Sequence, residues 1–171
     1  MVSQVYNPPN THGEPKPGEW LSVPDYQNLV RLAPLVTVDL ILRNVEGKIW
    51  LGRRKNHPAK GTWFVPGGRI TKNETRADAF ARVSLAELGA AKNLGDATFL
   101  GAYDQFFKDN FFEQPGFGTH CISLAYELHW KEKNDPHSTG QHAECGWFTL
   151  DQIFKLEMVH PDTKGYFSRP A

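Results

Sequence analysis

A chain of 171 residues is the length of one domain, long enough to bury about two-thirds of its unfolded surface without a disulfide or metal staple. Hydrophobic residues make up 40% and charged residues 22%, which argues against extensive disorder. The 19 basic side chains balance 19 acidic ones, which disfavours broad electrostatic capture of DNA or RNA.

Residues 1–19 carry Pro8, Pro9, Pro15 and Pro17 with Gly13 and Gly18, and read as a flexible tail before a single domain over 20–171. A Pro-rich docking ligand is the other reading, but no PxxP lies in a basic context. Asp25 is placed to cap a short helix over 26–32, which Pro34 ends. The β-rich run 35–42, a turn at 45–48 and the returning run 49–54 form a hairpin signature. A short strand over 62–65 is stopped by Pro66-Gly67-Gly68.

Thr71-Lys72-Asn73-Glu74 has the form of a capping box. The helix it opens, over 75–88, shows an apolar face of Ala77, Ala81, Leu85 and Leu88, with Gly89 as its C-cap. Strands follow over 97–107, 119–130 and 144–149, then a helix over 150–157 and a short one after Pro161. This order predicts a mixed α+β domain and not a βαβ alternation.

Cys121 and Cys145 have neither CxxC nor zinc-ligand spacing and read as reduced, buried thiols. No apolar run has the length of a membrane span, and the N-terminus lacks a signal-peptide layout, so the cytoplasm is the expected location. Asn73-Glu74-Thr75 fits a glycosylation sequon, read as coincidence in a chain expected to stay inside the cell. GxGxxG, GxxxxGK[ST], HExxH and GxSxG are all absent, which leaves Rossmann, P-loop, zincin and α/β-hydrolase readings without support.

The chemistry concentrates between Gly67 and Gly89. A glycine pair admits a ligand close to the backbone, Arg69 follows at once, and Glu74, Arg82 and Glu87 lie along the helix. Carbonyls, a carboxylate and a guanidinium together suit Mg²⁺ and a diphosphate. An ordinary capped amphipathic helix with surface charges accounts for the same residues equally well on physics alone.

The segment resembles the Nudix box, in which Gly, five residues, Glu, seven residues and Arg-Glu precede a hydrophobic residue, any residue, Glu-Glu, any residue and Gly. Gly68, Glu74, Arg82, Glu87 and Gly89 match at the right spacings. Val83 and Ala86 stand where the box has Glu. That altered box is similar to the GDP-mannose mannosyl hydrolase branch of the superfamily. Further similar segments follow in order: residues 33–39, 51–54, 61–69, Asp109-Asn110-Phe111 and Gln141-His142.

The resemblance implies a Nudix fold, an α/β/α sandwich with a mixed sheet. It implies hydrolysis of a GDP-sugar, GDP-mannose in the first instance, by attack of water at the anomeric carbon with inversion. Mg²⁺, with Mn²⁺ as a substitute, would be bound by the Gly67 carbonyl, Glu87 and Gln141. His142 would be the general base, since an ordinary imidazole titrates near neutrality. Arg69 would serve the leaving group, and GDP, already a good leaving group, needs no carboxylic acid of the kind ordinary glycosidases use. Arg54, Asp39 and Arg82 would contact substrate, though Asp39 could instead pair with Arg54, and Arg82 with Glu74. Trp20, Leu21 and Tyr26 would contact guanine, or simply pack on the core. The family implies a homodimer. Gln105 and Cys121 depart from the branch, which has His and Tyr at these places. A Nudix pyrophosphohydrolase cutting P–O bonds and a non-catalytic GDP-sugar-binding module are the competing functions.

Overall fold

The computed structural model of the chain describes residues 15–137 and 142–168. At its centre lies β1 (Leu35–Asn44), buried without a break from Val38 to Leu42. A strand buried on both faces needs cover on each side, and that need sets the architecture. β1 pairs in parallel with β6 (Thr119–Trp130), from Leu35 against Cys121 to Asn44 against Trp130. Along its other edge, β4 (Gly67–Arg69) pairs antiparallel with the first half of β1, and β2 (Ile49–Arg54) meets its far end. β3 (Trp63–Phe64) and β7 (His142–Phe148) both pair with β2, and β5 (Thr98–Phe107) pairs with β6. The result is one mixed seven-stranded sheet.

Alternation along β1 sends Val38, Leu40 and Leu42 to one face, where Phe80, Val83 and Leu88 of α2 (Arg76–Leu88) cover them. Ile41 joins Ile49 and Leu51 on the other face, against Ile153 of α3 (Leu150–Lys155) and Tyr166, which follows α4 (Pro161–Gly165). α1 (Val23–Leu32) packs Val30 against Leu35 and Cys121. Burying a side chain such as Phe80 contributes about 2–3 kcal/mol each time, so the two clusters hold the layers on the sheet. The α+β class and the α/β/α sandwich are as expected.

Several boundaries differ for local physical reasons. α1 starts at Val23, because Ser22 is its cap and accepts from the Asp25 amide at 3.1 Å; Asp25 is inside the helix. Residues 15–19, assigned to the tail, include a turn whose Gly18 amide donates to Thr71 Oγ1 at 2.7 Å. Residues 1–14 lie outside the described part. β3 ends at Phe64, before the stop expected at Pro66-Gly67-Gly68, but Gly67 and Gly68 open a separate strand, β4, because β1 offers them an edge. Asn73 adopts a left-handed φ of 63°, so Thr71 and Glu74 close a loop and Thr75 caps α2 instead.

The predicted apolar face of α2 is rotated. Ala77 and Leu85 are exposed, while Ala79, Phe80, Val83, Ser84, Glu87 and Leu88 are buried. Residue type alone could not assign Glu87 to the inner face. β7 begins at His142, two residues early, because β2 extends a pairing edge to it. Cys121 and Cys145 are not joined in a disulfide. Among the described residues no helix is long and apolar enough to cross a membrane.

Candidate active site

β4 and α2 set the frame of the site. The Leu40 amide donates to the Pro66 carbonyl and the Ile70 amide to the Val36 carbonyl, so alternate residues of β4 bond to β1. Gly67 and Arg69 therefore turn their carbonyls away from β1. The Arg69 carbonyl accepts from Arg82 Nη2 at 2.8 Å, and the Gly67 carbonyl lies outside the ladder. A Cβ on Gly67 would stand 2.5 Å from Asp39 Oδ1 and 2.8 Å from the Val38 carbonyl oxygen, so only glycine fits. On Gly68 it would press on Val83 at 3.0 Å.

Glu87 is the carboxylate that α2 delivers to this frame. It is 5% exposed, and burial pushes its pKa up from 4.5 to about 7, with only the Arg54 charge opposing the rise. A carboxylate so desolvated is a group that a hard cation would satisfy. Val83 points into the core and Ala86 is exposed without a charge. Among the described residues no three His, Cys, Asp or Glu side chains converge to hold a metal. A divalent ion bound by Glu87 would need neutral oxygens beside it, and the Gly67 carbonyl, turned away from β1, is the candidate. Gln141, the third expected ligand, lies outside the described residues.

His142 opens β7, opposite Arg54 on β2. Its ring lies on the bare backbone of Gly52, where any Cβ would overlap it. His142 precedes the strand expected over 144–149, yet it is buried to 8% exposure, with Nδ1 3.7 Å from Glu87 Oε2. Burial, then the charges of Arg54 and Lys55, lower its pKa to about 4. The imidazole is therefore neutral at pH 7 and free of a proton at one nitrogen, though not poised near neutrality as expected.

Arg54 is the electrostatic centre. Burial lowers its pKa, and the carboxylates of Asp39, Glu87 and Asp109 oppose this. Nε donates to the Pro58 carbonyl at 2.7 Å, and the guanidinium carbon lies 5.8 Å from the Phe64 ring centre. Asp39 does not pair with it. Its carboxylate accepts from the Tyr166 hydroxyl and, at 3.4 Å, from Gln105 Nε2, which also donates to the Tyr166 oxygen at 2.6 Å. Burial raises Asp39 to about 6. Burial also pushes the Cys121 thiol up to about 12, so Cys121 is not a thiolate.

Arg69 stacks its guanidinium 5.2 Å from the centre of the Tyr26 ring, and Tyr26 also meets Phe111 and Phe112. Trp20 is 63% exposed and Leu21 half-buried beside this aromatic group in sequence. Arg82, expected to touch substrate, is committed elsewhere. Nε and Nη2 grip Glu74 at 2.6 and 2.8 Å while Nη2 also holds the Arg69 carbonyl. Burial alone would raise Glu74, but Arg82 and the Thr71 donors bring it below the usual carboxylate range. The pair braces the loop between β4 and α2.

The sequence model described as "NUDIX domain" matches residues 33–169. The chain belongs to the Nudix family. A relative from Haloferax volcanii, "Low-salt glycan biosynthesis protein Agl8", is 37% identical over 152 residues, 88% of this chain and 91% of its own. An "ADP-ribose pyrophosphatase" from Methanocaldococcus jannaschii is 31% identical, covering 75% of this chain and 70% of the relative. Among solved structures, a MutT Nudix hydrolase from Burkholderia pseudomallei is 26% identical with a TM-score of 0.63, covering 81% of this chain and 98% of that one. The Nudix domain of Shewanella oneidensis NrtR, solved with ADP-ribose, shares the fold at 17% identity and a TM-score of 0.59, covering 86% and 97%. The chain is a Nudix hydrolase, a class that generally works with divalent metals.

The Nudix box and the 51–54 segment with Gly52 were visible in the sequence; Tyr166 and the contact of Gly52 with His142 were not. A glycine inside a strand pattern, as at Gly52, marks a close approach, but not which residue makes it.

Proposed function

We propose that this Nudix hydrolase cleaves a GDP-sugar, GDP-mannose in the first instance, to GDP and free sugar by attack of water at the anomeric carbon with inversion. The observation that carries the reading is the sparse acidity of α2: Glu87 alone of the helix's inner face is a carboxylate, and it lies beside the neutral imidazole of His142. Attack at phosphorus in ordinary Nudix boxes draws on more Glu residues, and here those positions are Val83 and Ala86. The glycan-biosynthesis description of the 37% identical relative supports a nucleotide-sugar substrate.

In this reading Arg54 and Arg69 neutralise the diphosphate as it leaves, so no carboxylic acid has to protonate it. Arg69 is already oriented by the Tyr26 ring. Tyr26, with Trp20 and Leu21, presents the apolar surface for guanine, since aromatic faces suit base stacking. The neutral His142 accepts the proton of the attacking water; its low basicity is offset by orientation, because Gly52 and β2 hold the ring in one place. Magnesium or manganese, held by Glu87, the Gly67 carbonyl and Gln141, would supply further charge neutralisation on the diphosphate. Arg82 serves by bracing the loop. The homodimer belongs to the same reading, and light scattering at micromolar protein tests it.

A second reading, cleavage of a P–O bond, is favoured by the relative described as an ADP-ribose pyrophosphatase. Hydrolysis of GDP-mannose with Mg²⁺ in ¹⁸O-water separates the two. Label in mannose with unlabelled GDP is expected; label in GMP or sugar phosphate overturns the proposal. His142→Gln should then lower kcat by about 10²–10⁴-fold, the usual worth of a general base.

A further inference from the structure

The loop 55–62 between β2 and β3 ends at the Arg54 guanidinium, through the bond from Nε to the Pro58 carbonyl. The loop is closed on itself by bonds between Gly61 and Arg54 and between Thr62 and Ala59. Its tip is tied to the rest of the molecule through His57 and Lys60. His57 Nδ1 donates to Asp109, His57 Nε2 lies 3.6 Å from Glu113, and Lys60 Nζ lies 3.7 Å from Glu113. Ala59 in one loop and Glu113 in the other hold positive φ values of 60° and 54°, conformations that L residues avoid unless their surroundings impose them.

The receiving loop is rigid. Asn110 is fully buried and bonds four backbone groups across 112–117, and the Asp109 carbonyl accepts from Thr119 at 2.9 Å. Asp109 also lies within electrostatic reach of Arg54. One contact thus sets both the carbonyl that orients Arg54 and a carboxylate that balances its charge.

We propose that His57 is a positioning residue for Arg54: by pinning the 55–62 loop to Asp109 it holds the guanidinium in the plane that meets the substrate diphosphate. The role of Arg54 rests on the hydrolase reading above; the pinning does not. A long arginine loses several rotors when it is fixed, and a carbonyl that drifts releases them. Displacement of a charged group by about 1 Å costs up to about 10²-fold in rate.

Two measurements on the full chain test it. In ¹H–¹⁵N spectra the Arg54 Nε–H, assigned by its loss in Arg54→Lys, should exchange slowly in the wild type, broaden or vanish in His57→Ala, and return in His57→Asn, whose amide nitrogen stands where Nδ1 stood. With GDP-mannose, His57→Ala should lower kcat about 10–100-fold with KM within about threefold, His57→Asn should recover most of it, and the variant with both His57→Ala and Arg54→Lys should be no slower than Arg54→Lys. An Nε–H unchanged in His57→Ala, or losses that simply multiply, overturns the proposal. A wild type that hydrolyses no GDP-sugar while His57→Ala still frees the Nε–H refutes the hydrolase reading and supports the pinning.

Discussion

Glu87→Gln removes a carboxylate whose pKa burial holds at about 7 against an ordinary value of 4.5. A tenfold change in proton affinity corresponds to about 1.4 kcal/mol, so ionised Glu87 costs the metal-free fold about 3 kcal/mol once fully charged. Between 4.5 and 7 the native protein keeps a proton that the unfolded chain has released. Stability therefore falls as pH rises through that window and levels off above it. Asp39, raised from 3.8 to about 6 by burial, acts in the same direction. Comparing wild type with Glu87→Gln isolates the Glu87 share.

The assay is urea unfolding in EDTA at pH 5 and pH 8, with a repeat in millimolar Mg²⁺. Going from pH 5 to pH 8, the wild type should lose about 2–3 kcal/mol more than Glu87→Gln. Mg²⁺ should restore the loss in the wild type and leave the variant unchanged, because a ligand that binds only the native state stabilises it. Parallel pH profiles, or a variant less stable than wild type at pH 8 without metal, would refute both the burial argument and the assignment of Glu87 as a ligand.

Gly52→Ala places a methyl group inside the His142 ring, so hydrolysis should fall nearly as far as in His142→Gln, at a stability cost of about 1–3 kcal/mol by urea titration; full activity would separate His142 from the chemistry. Arg82→Ala leaves the buried Glu74 carboxylate without its partner, and with Arg82 one-third exposed the loss should be about 2 kcal/mol at pH 7. That loss should shrink as pH falls below the usual carboxylate range, because Glu74 is held below it; calorimetry across acid pH checks the sign. Tyr166→Phe removes the hydroxyl that Asp39 and Gln105 share, and thermal unfolding should show a loss of about 1–3 kcal/mol; an unchanged midpoint would mean that the cluster carries no stability.

Much of the fold follows from short-range rules. The hairpin of β1 and β2 shows as two β-rich runs around a turn, β6 as the strand expected over 119–130, and the end of α2 as the glycine expected to cap it, which has a φ of 74°. Local rules failed where partners were distant. β4 is a strand only because β1 runs beside it, and the inner face of α2 contains Glu87, which no apolar pattern would select. Asp39 and Arg54 are neighbours across a plausible hairpin, yet Asp39 found Tyr166, 127 residues away.

Periodicity and turn residues by themselves determined the mixed α+β order, and the spacing of Gly68, Glu74, Arg82, Glu87 and Gly89 carried the resemblance to the family whose domain matches residues 33–169. Those properties depend on residue types at fixed short separations, which a helix turn or a strand alternation translates directly into space. Which charges face one another was decided only in the tertiary structure. The sheet brings β2, β4 and β7 together with α2, so that burial lowers the pKa of His142, raises that of Glu87 and sets Arg54 among three carboxyl groups from separate parts of the chain. Desolvation and Coulomb energy depend on what surrounds a group in three dimensions, and that is information no local stretch of sequence contains.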